Sequence, residues 1–168
     1  TSSDSANRYQ VTITAVPSEG GSVSPSGGQY DEGESLDISA TPSEGWRFER
    51  WEGDYSGNSS TATISVNSDK NIDAIFEKKT YALTVNATGQ GTVDEQVVTA
   101  KSTDYESGTI VELTANPDEG WQFVEWQGDL TGTANPQQIT IDEPKEVTAV
   151  FESESYTVSV TITGQGSV

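Results

Sequence analysis

Apolar and polar side chains alternate along Tyr9-Gln10-Val11-Thr12-Ile13-Thr14-Ala15-Val16, the two-residue period of a strand with one face on a core. The run stops at Pro17-Ser18-Glu19-Gly20-Gly21, where Pro and Gly predict a turn. Ser22-Val23-Ser24 then reads as a short return strand, and Pro25-Ser26-Gly27-Gly28 as a second turn ahead of Tyr30. Alternation resumes over Glu34 to Thr41, with Leu36, Ile38 and Ala40 on one face, and Pro42-Ser43-Glu44-Gly45 turns into the aromatic stretch Trp46 to Asp54. A polar loop over residues 55–60, a strand Ala62 to Val66, a turn Asn67-Ser68-Asp69-Lys70 and a strand Asn71 to Glu77 follow, the last with Ile72, Ala74 and Phe76 on one face. No window has the 3.6-residue period and cap of a helix. The pattern predicts an all-β unit of about six short strands.

The whole pattern then returns. Gly45-Trp46-Arg47-Phe48-Glu49-Arg50-Trp51-Glu52-Gly53-Asp54 reappears as Gly120-Trp121-Gln122-Phe123-Val124-Glu125-Trp126-Gln127-Gly128-Asp129. Tyr81 matches Tyr9, and Tyr105 to Phe151 matches Tyr30 to Phe76 without a gap. Length differences fall in the first turn and in the longer connection Asp94 to Asp104. Tyr156 to Val168 nearly copies residues 81–93. The expected organisation is a linker over residues 1–8, repeats over 9–77 and 81–152, and the start of an incomplete third repeat over 156–168. Repetition fixes the period of such an array but not its phase, so the last hairpin either opens another unit or completes the second.

Hydrophobic residues make up 32% of the 168 residues and the formal net charge is −19, a composition that by itself suits a disordered chain. The alternating runs and the abundant Thr override it. Eight Lys and Arg against 27 Asp and Glu argue against nucleic acid and anionic membranes as partners. Absence of Cys removes disulfides and thiolate metal sites, and absence of His removes the commonest general base and metal ligand. No apolar run approaches a membrane span, and Thr1 to Asn7 is polar. The chain is expected to be a mature or excised part of a longer protein, and a monomer.

All four tryptophans lie in the two copies of the aromatic stretch. Trp51 and Trp126 are expected to plug the cores, with the Gly and Asp that follow turning the chain and the Asp accepting hydrogen bonds from nearby backbone N–H groups. Trp46 and Trp121 begin their strands beside a turn and, with Tyr55 in the polar loop, are the candidates for stacking on sugar rings; the second repeat has Leu130 at the place of Tyr55. Asp54 and Asp129, with Asp31 and Glu32, are the weak calcium candidates, although no stretch has EF-hand spacing. A solvated acidic face is the simpler reading. Lys70 and Lys145 occupy equivalent places and are expected to be surface turn lysines, not buried partners in a Lys-Asn crosslink. Asn58-Ser59-Ser60 and Asn86-Ala87-Thr88 match the N-glycosylation pattern by accident. The units are too small to hold a deep catalytic cleft, so no enzyme activity and no cofactor are expected.

The combined pattern of Tyr30, Gly33, Ala40, Pro42, Gly45, Phe48, Trp51, Gly53, Asp54, Ala74 and Phe76, with Tyr105, Gly108, Ala115, Pro117, Gly120, Phe123, Trp126, Gly128, Asp129, Ala149 and Phe151, resembles divergent relatives of the internalin B-repeat. The resemblance implies an extracellular or cell-surface bacterial protein in which such modules stand in tandem as spacers beside adhesive or carbohydrate-active domains. It implies no catalytic residues. The expected fold is therefore a tandem of small antiparallel β modules, sandwich or β-grasp-like without a clear helix, each with a Trp/Phe-centred core. The expected role is a non-catalytic spacer contacting neighbouring repeats, with an accessory glycan-binding module for polysaccharide as the alternative.

Overall fold

The computed structural model describes residues 7–97, 104–161 and 163–165. Strands in chain order are β1 (Arg8–Val16), β2 (Gly21–Ser24), β3 (Gly27–Asp31), β4 (Glu34–Pro42), β5 (Trp46–Gly53), β6 (Thr61–Val66), β7 (Lys70–Lys78) and β8 (Thr80–Tyr81). They continue as β9 (Leu83–Thr88), β10 (Gly91–Val97), β11 (Tyr105–Glu106), β12 (Thr109–Pro117), β13 (Trp121–Gly128), β14 (Gln137–Ile141) and β15 (Lys145–Ser153). Among the described residues the one helical element is a single 3-10 turn, Ser18–Gly20. The chain divides into two compact units, the first running to Tyr81 and taking in Tyr105–Gly108, the second formed by Ala82–Asp104 and the residues from Thr109 onward.

In the first unit a four-stranded sheet, β3-β1-β7-β5, faces a three-stranded sheet, β2-β4-β6. The alternation noted in the sequence sends Val11 and Ile13 of β1, Leu36, Ile38 and Ala40 of β4, Ile64 and Val66 of β6, and Ile72, Ala74 and Phe76 of β7 into one buried cluster around Trp51. That burial supplies the driving force, at about 25 cal/mol per Å² of apolar surface removed from water. All pairings are antiparallel except β1 with β7, which run parallel from Val11↔Lys70 to Val16↔Ile75. Side-chain alternation is the same in both kinds of ladder, so the parallel pair could not be read from it.

The second unit repeats the plan with sheets β13-β15-β9 and β10-β12-β14. Its buried residues are Val111, Leu113, Ala115, Trp126, Leu130, Ile139, Ile141, Val147, Ala149 and Phe151. Strand β9 pairs parallel with β15 from Leu83↔Lys145 to Thr88↔Val150. In each unit the first strand is thus hydrogen-bonded to the last, and the unit closes on itself.

Two sequence expectations need correction, and the spacing of one aromatic pair has a structural cause. The stretch Gly27-Gly28, expected as a turn, lies in strand β3 and pairs with β1 as Val11↔Gly28 and Thr12↔Gly27. At Gly27, with φ +135°, an added Cβ would sit 2.3 Å from the Val11 carbonyl oxygen, so glycine here marks a close approach of two strands. The first unit therefore has seven strands before β8. Phe48 and Trp51, three apart in one strand, have opposite parity, yet both face inward because β5 carries a bulge between Phe48 and Arg50; β13 has the same bulge between Phe123 and Glu125. Finally, residues 156–161, expected to begin a strand, form none, and Tyr156, Val158 and Val160 are exposed. The matching strands β1 and β9 are held by β7 and β15; residues 156–161 have no such partner among the described residues. Ile162 and the end of the expected hairpin, residues 166–168, lie outside the described residues, as does most of the long second connection, residues 98–103.

Deleting residues 156–168 is expected to leave the thermal unfolding of both units unchanged, because the described part of that segment neither pairs nor packs. A lower midpoint measured by calorimetry for the truncated chain would contradict this.

Candidate functional site

The aromatic stretch is where the two units are built most alike. Trp51 and Trp126 are each 1% exposed. A buried indole N–H needs an acceptor, and each finds a loop carbonyl eight residues on: Trp51 Nε1 donates to the Ser59 oxygen at 2.8 Å, Trp126 Nε1 to the Ala134 oxygen at 2.8 Å. The backbone N–H groups of the same tryptophans donate to Gly57 and Gly132. The ring and main chain of one residue thereby fix the loop that follows β5 or β13. Phe48 packs tilted on Trp51 at 5.3 Å and edge-on to Phe76 at 6.0 Å; Phe123, Trp126 and Phe151 repeat this at 5.0 and 6.1 Å.

The Gly-Asp pairs after these tryptophans act across strands and not in a local turn. Asp54 Oδ2 accepts from the Asn71 N–H at 2.7 Å, while the Asp54 N–H donates to the Asn71 carbonyl at 2.9 Å. Asp129 makes the same two bonds to Glu146, at 2.7 and 2.9 Å. Gly53 and Gly128, both at φ +95°, let the chain approach: a Cβ on either would lie 2.3 Å from the Asn71 or Glu146 oxygen. The carboxylates offered as calcium ligands thus already serve as backbone clamps. The other two candidates are separately engaged, Asp31 with Arg8 at 3.2 Å and Glu32 with the Asn7 amide at 3.0 Å. Among the described residues no group of three or more acidic side chains could hold a metal ion.

The stacking candidates are half-buried. Trp46 packs on the first turn, where a Cβ on Gly20 would come within 3.1 Å of its ring, and the Lys78 ammonium sits over the ring at 5.7 Å. Trp121 lies the same way against Gly89, at 2.9 Å from an added Cβ. Tyr55 packs against the core cluster and across Gly57, in the role that buried Leu130 fills in the second unit. Trp46 opens β5 and Tyr55 follows its other end, and the strand between Trp46 and Gly53 spans roughly 23 Å at 3.3 Å per residue. They do not form one platform.

Lys145 is not the free turn lysine expected: it opens β15 with a side chain 12% exposed, 2.7 Å from Asp142 and 2.9 Å from Glu143. Hydrogen bonds to those carboxylates hold its ammonium well above the usual lysine range. An amine kept protonated in this way is unsuited to attack an amide.

Sequence reasoning passed over one surface. Arg47, Glu77, Lys78, Lys79, Thr80 and Tyr81 line a shallow depression of about 400 Å³ in the first unit, and Trp46, Phe76, Glu77, Lys78 and Glu106 line an adjoining one of about 440 Å³. The signal was available in the repeat register, where Arg47, Lys78 and Lys79 stand against Gln122, Ser153 and Glu154.

Comparison with known proteins fits the duplicated geometry. The sequence profile of the divergent InlB B-repeat domain matches residues 11–80 and again residues 81–155. The chain belongs to the divergent InlB B-repeat family. Each matched segment contains one complete aromatic triad and one Gly-Asp clamp. No curated protein matches the chain. Among solved structures, the major pilin protein (T-13) from Streptococcus pyogenes serotype GAS131465 is similar over 71% of this chain and 66% of the pilin, with 12% identity and a TM-score of 0.36, too low to carry an argument.

For these InlB-type repeats Trp51→Ala is expected to cost about 3–5 kcal/mol, close to the whole stability of so small a unit. Replacing Asp54 by Ala should cost about 1–2 kcal/mol by leaving the Asn71 N–H without its acceptor. Melting curves in chelator and in millimolar calcium are expected to superimpose; a rise in midpoint with calcium that Asp54→Ala abolishes would show that the clamp also binds the metal.

Proposed function

We propose that the chain is a non-catalytic, force-transmitting spacer in a bacterial secreted or cell-surface protein, holding another domain away from its anchor. Membership of the repeat family supports the structural role, and the absence among the described residues of a helix fit to cross a membrane leaves the location to the longer protein. One observation carries the reading furthest, the parallel pairing of the first and last strands of each unit. Tension enters a unit at the N-terminal end of β1 and leaves at the C-terminal end of β7. Because the two strands run in the same direction, that tension slides them past each other, and the evenly spaced hydrogen bonds of a parallel ladder share the load. In the opposite geometry, pulled from one end, the same bonds would break one after another.

The exposed, alternating Tyr156, Val158 and Val160 suit this role as the first strand of a further unit, with the neighbouring repeats of one chain as its partners and a monomer as its working state.

Stretching single molecules by their termini tests the proposal. Two separate unfolding events are expected, each releasing about 24 nm of chain at about 3.5 Å per residue. The absence of native cysteine permits a decisive control. Attachment through Arg8→Cys and Ser68→Cys, both at the same end of the β1–β7 pair, should peel the strands and lower the force for that unit several-fold. Equal forces in the two geometries would rule out the shear clamp.

A further inference from the structure

We infer that the surface formed by Arg47, Lys78, Lys79, Thr80 and Tyr81 in the first unit binds a carboxylate-bearing polysaccharide. This adds a binding role to the spacer and does not depend on it. Three of the chain's eight basic residues meet in one depression, in a protein whose net charge is −19. Charge of the majority sign is needed for solubility; a local reversal at one place is not. Arg47 reaches across to Glu77 at 2.7 Å and Lys78 lies 3.6 Å from Glu106, but Lys79 is exposed and makes no ion pair among the described residues. The lining of the depression carries three cations and one carboxylate, Glu77, while Glu106 pairs with Lys78 from the adjoining depression and Glu49 acts on Arg47, which leaves Lys79 as the cation without an ion pair among the described residues.

The second unit supplies an internal comparison. Its backbone places Gln122 opposite Glu152 and Trp121 opposite Ser153, in the register that places Arg47 opposite Glu77 and Trp46 opposite Lys78. The matching side chains are Gln122, Glu152, Ser153 and Glu154, with no cation and two carboxylates. The fold is satisfied either way, so the basic residues of the first unit are not there to hold it together.

The kind of partner follows from the rest of the lining. Tyr81 offers part of a ring and Thr80 a hydroxyl, the combination that meets the apolar and polar faces of a sugar. An open surface depression suits an extended chain better than a compact ligand. Strand β8 is only two residues long, Thr80–Tyr81, too short an edge for capture of an acidic peptide by strand addition.

Titration calorimetry of the whole chain at low ionic strength, with oligogalacturonate as probe and neutral galactan and poly-glutamate as controls, tests the inference. Saturable binding of the uronate, weakening with salt and absent for galactan, is expected. The variant Arg47→Gln/Lys78→Ser/Lys79→Glu, which gives the first unit the side chains its sister carries, should lose it more than tenfold. Lys79→Glu alone, a change at an exposed side chain that leaves folding intact, should weaken it about fivefold. Placing Gln122→Arg/Ser153→Lys/Glu154→Lys in the second unit should raise the stoichiometry towards two. No saturable uronate binding, binding indifferent to either first-unit variant, or equal affinity for poly-glutamate would each overturn the proposal.

Discussion

A tryptophan placed at the centre of a small core brings a polar N–H with it, and the structure of each repeat follows from meeting that requirement. Trp51 and Trp126 are the largest fully buried side chains of the two cores, and their burial is favourable only where an acceptor reaches the indole nitrogen without admitting water. The acceptor is a loop carbonyl, Ser59 or Ala134, so the loop must fold back over the strand end. Gly53 and Gly128 allow the chain to press against the neighbouring strand, and Asp54 and Asp129 tie it there with two hydrogen bonds. Core, loop and clamp are one device, which is why the motif recurs as a block.

The bulge belongs to the same device. Without an extra residue in β5, Phe48 and Trp51 would point to opposite faces, and the tilted and edge-on contacts among Phe48, Trp51 and Phe76 could not form. The spacing of the two aromatics contained this information, since two core residues three apart in one strand demand a change of parity. Alternation elsewhere was a faithful guide: Leu36, Ile38 and Ala40, or Ile72, Ala74 and Phe76, are buried as a period of two requires. Glycine misled at Gly27-Gly28, because a residue lacking Cβ serves a close strand crossing as well as a turn. Asp54 misled because its side chain bonds 17 residues away, a partner that only the folded topology brings near.

Where the repeats differ, the differences show how much freedom the device leaves. In the first unit the Ala40 N–H donates to the Ser60 carbonyl. The second unit replaces that backbone contact with a side chain: Asn135 accepts from the Ala115 N–H at 2.9 Å and donates to its carbonyl at 2.8 Å. The residue after it is Pro136, which has no N–H to extend the ladder. Tyr55 becomes Leu130, exchanging a half-buried ring for a buried aliphatic chain over the same core. Substitutions that reach the interior are therefore matched by compensation in kind.

The basic surface of the first unit obeys no such rule. Arg47, Lys78 and Lys79 have counterparts of a different charge, with no rearrangement of the strands that carry them. An exposed ion pair such as Arg47 with Glu77 adds little to stability in water, so stability gives no reason to keep it in one repeat and discard it in the next. A duplicated scaffold under a single structural demand would be expected to vary at random on its exposed faces, and a chain this acidic would by chance place acidic or neutral residues at most of them. Three cations gathered beside Tyr81 and Trp46 depart from that expectation in one direction, and the departure is confined to a surface that the packing of the core does not constrain.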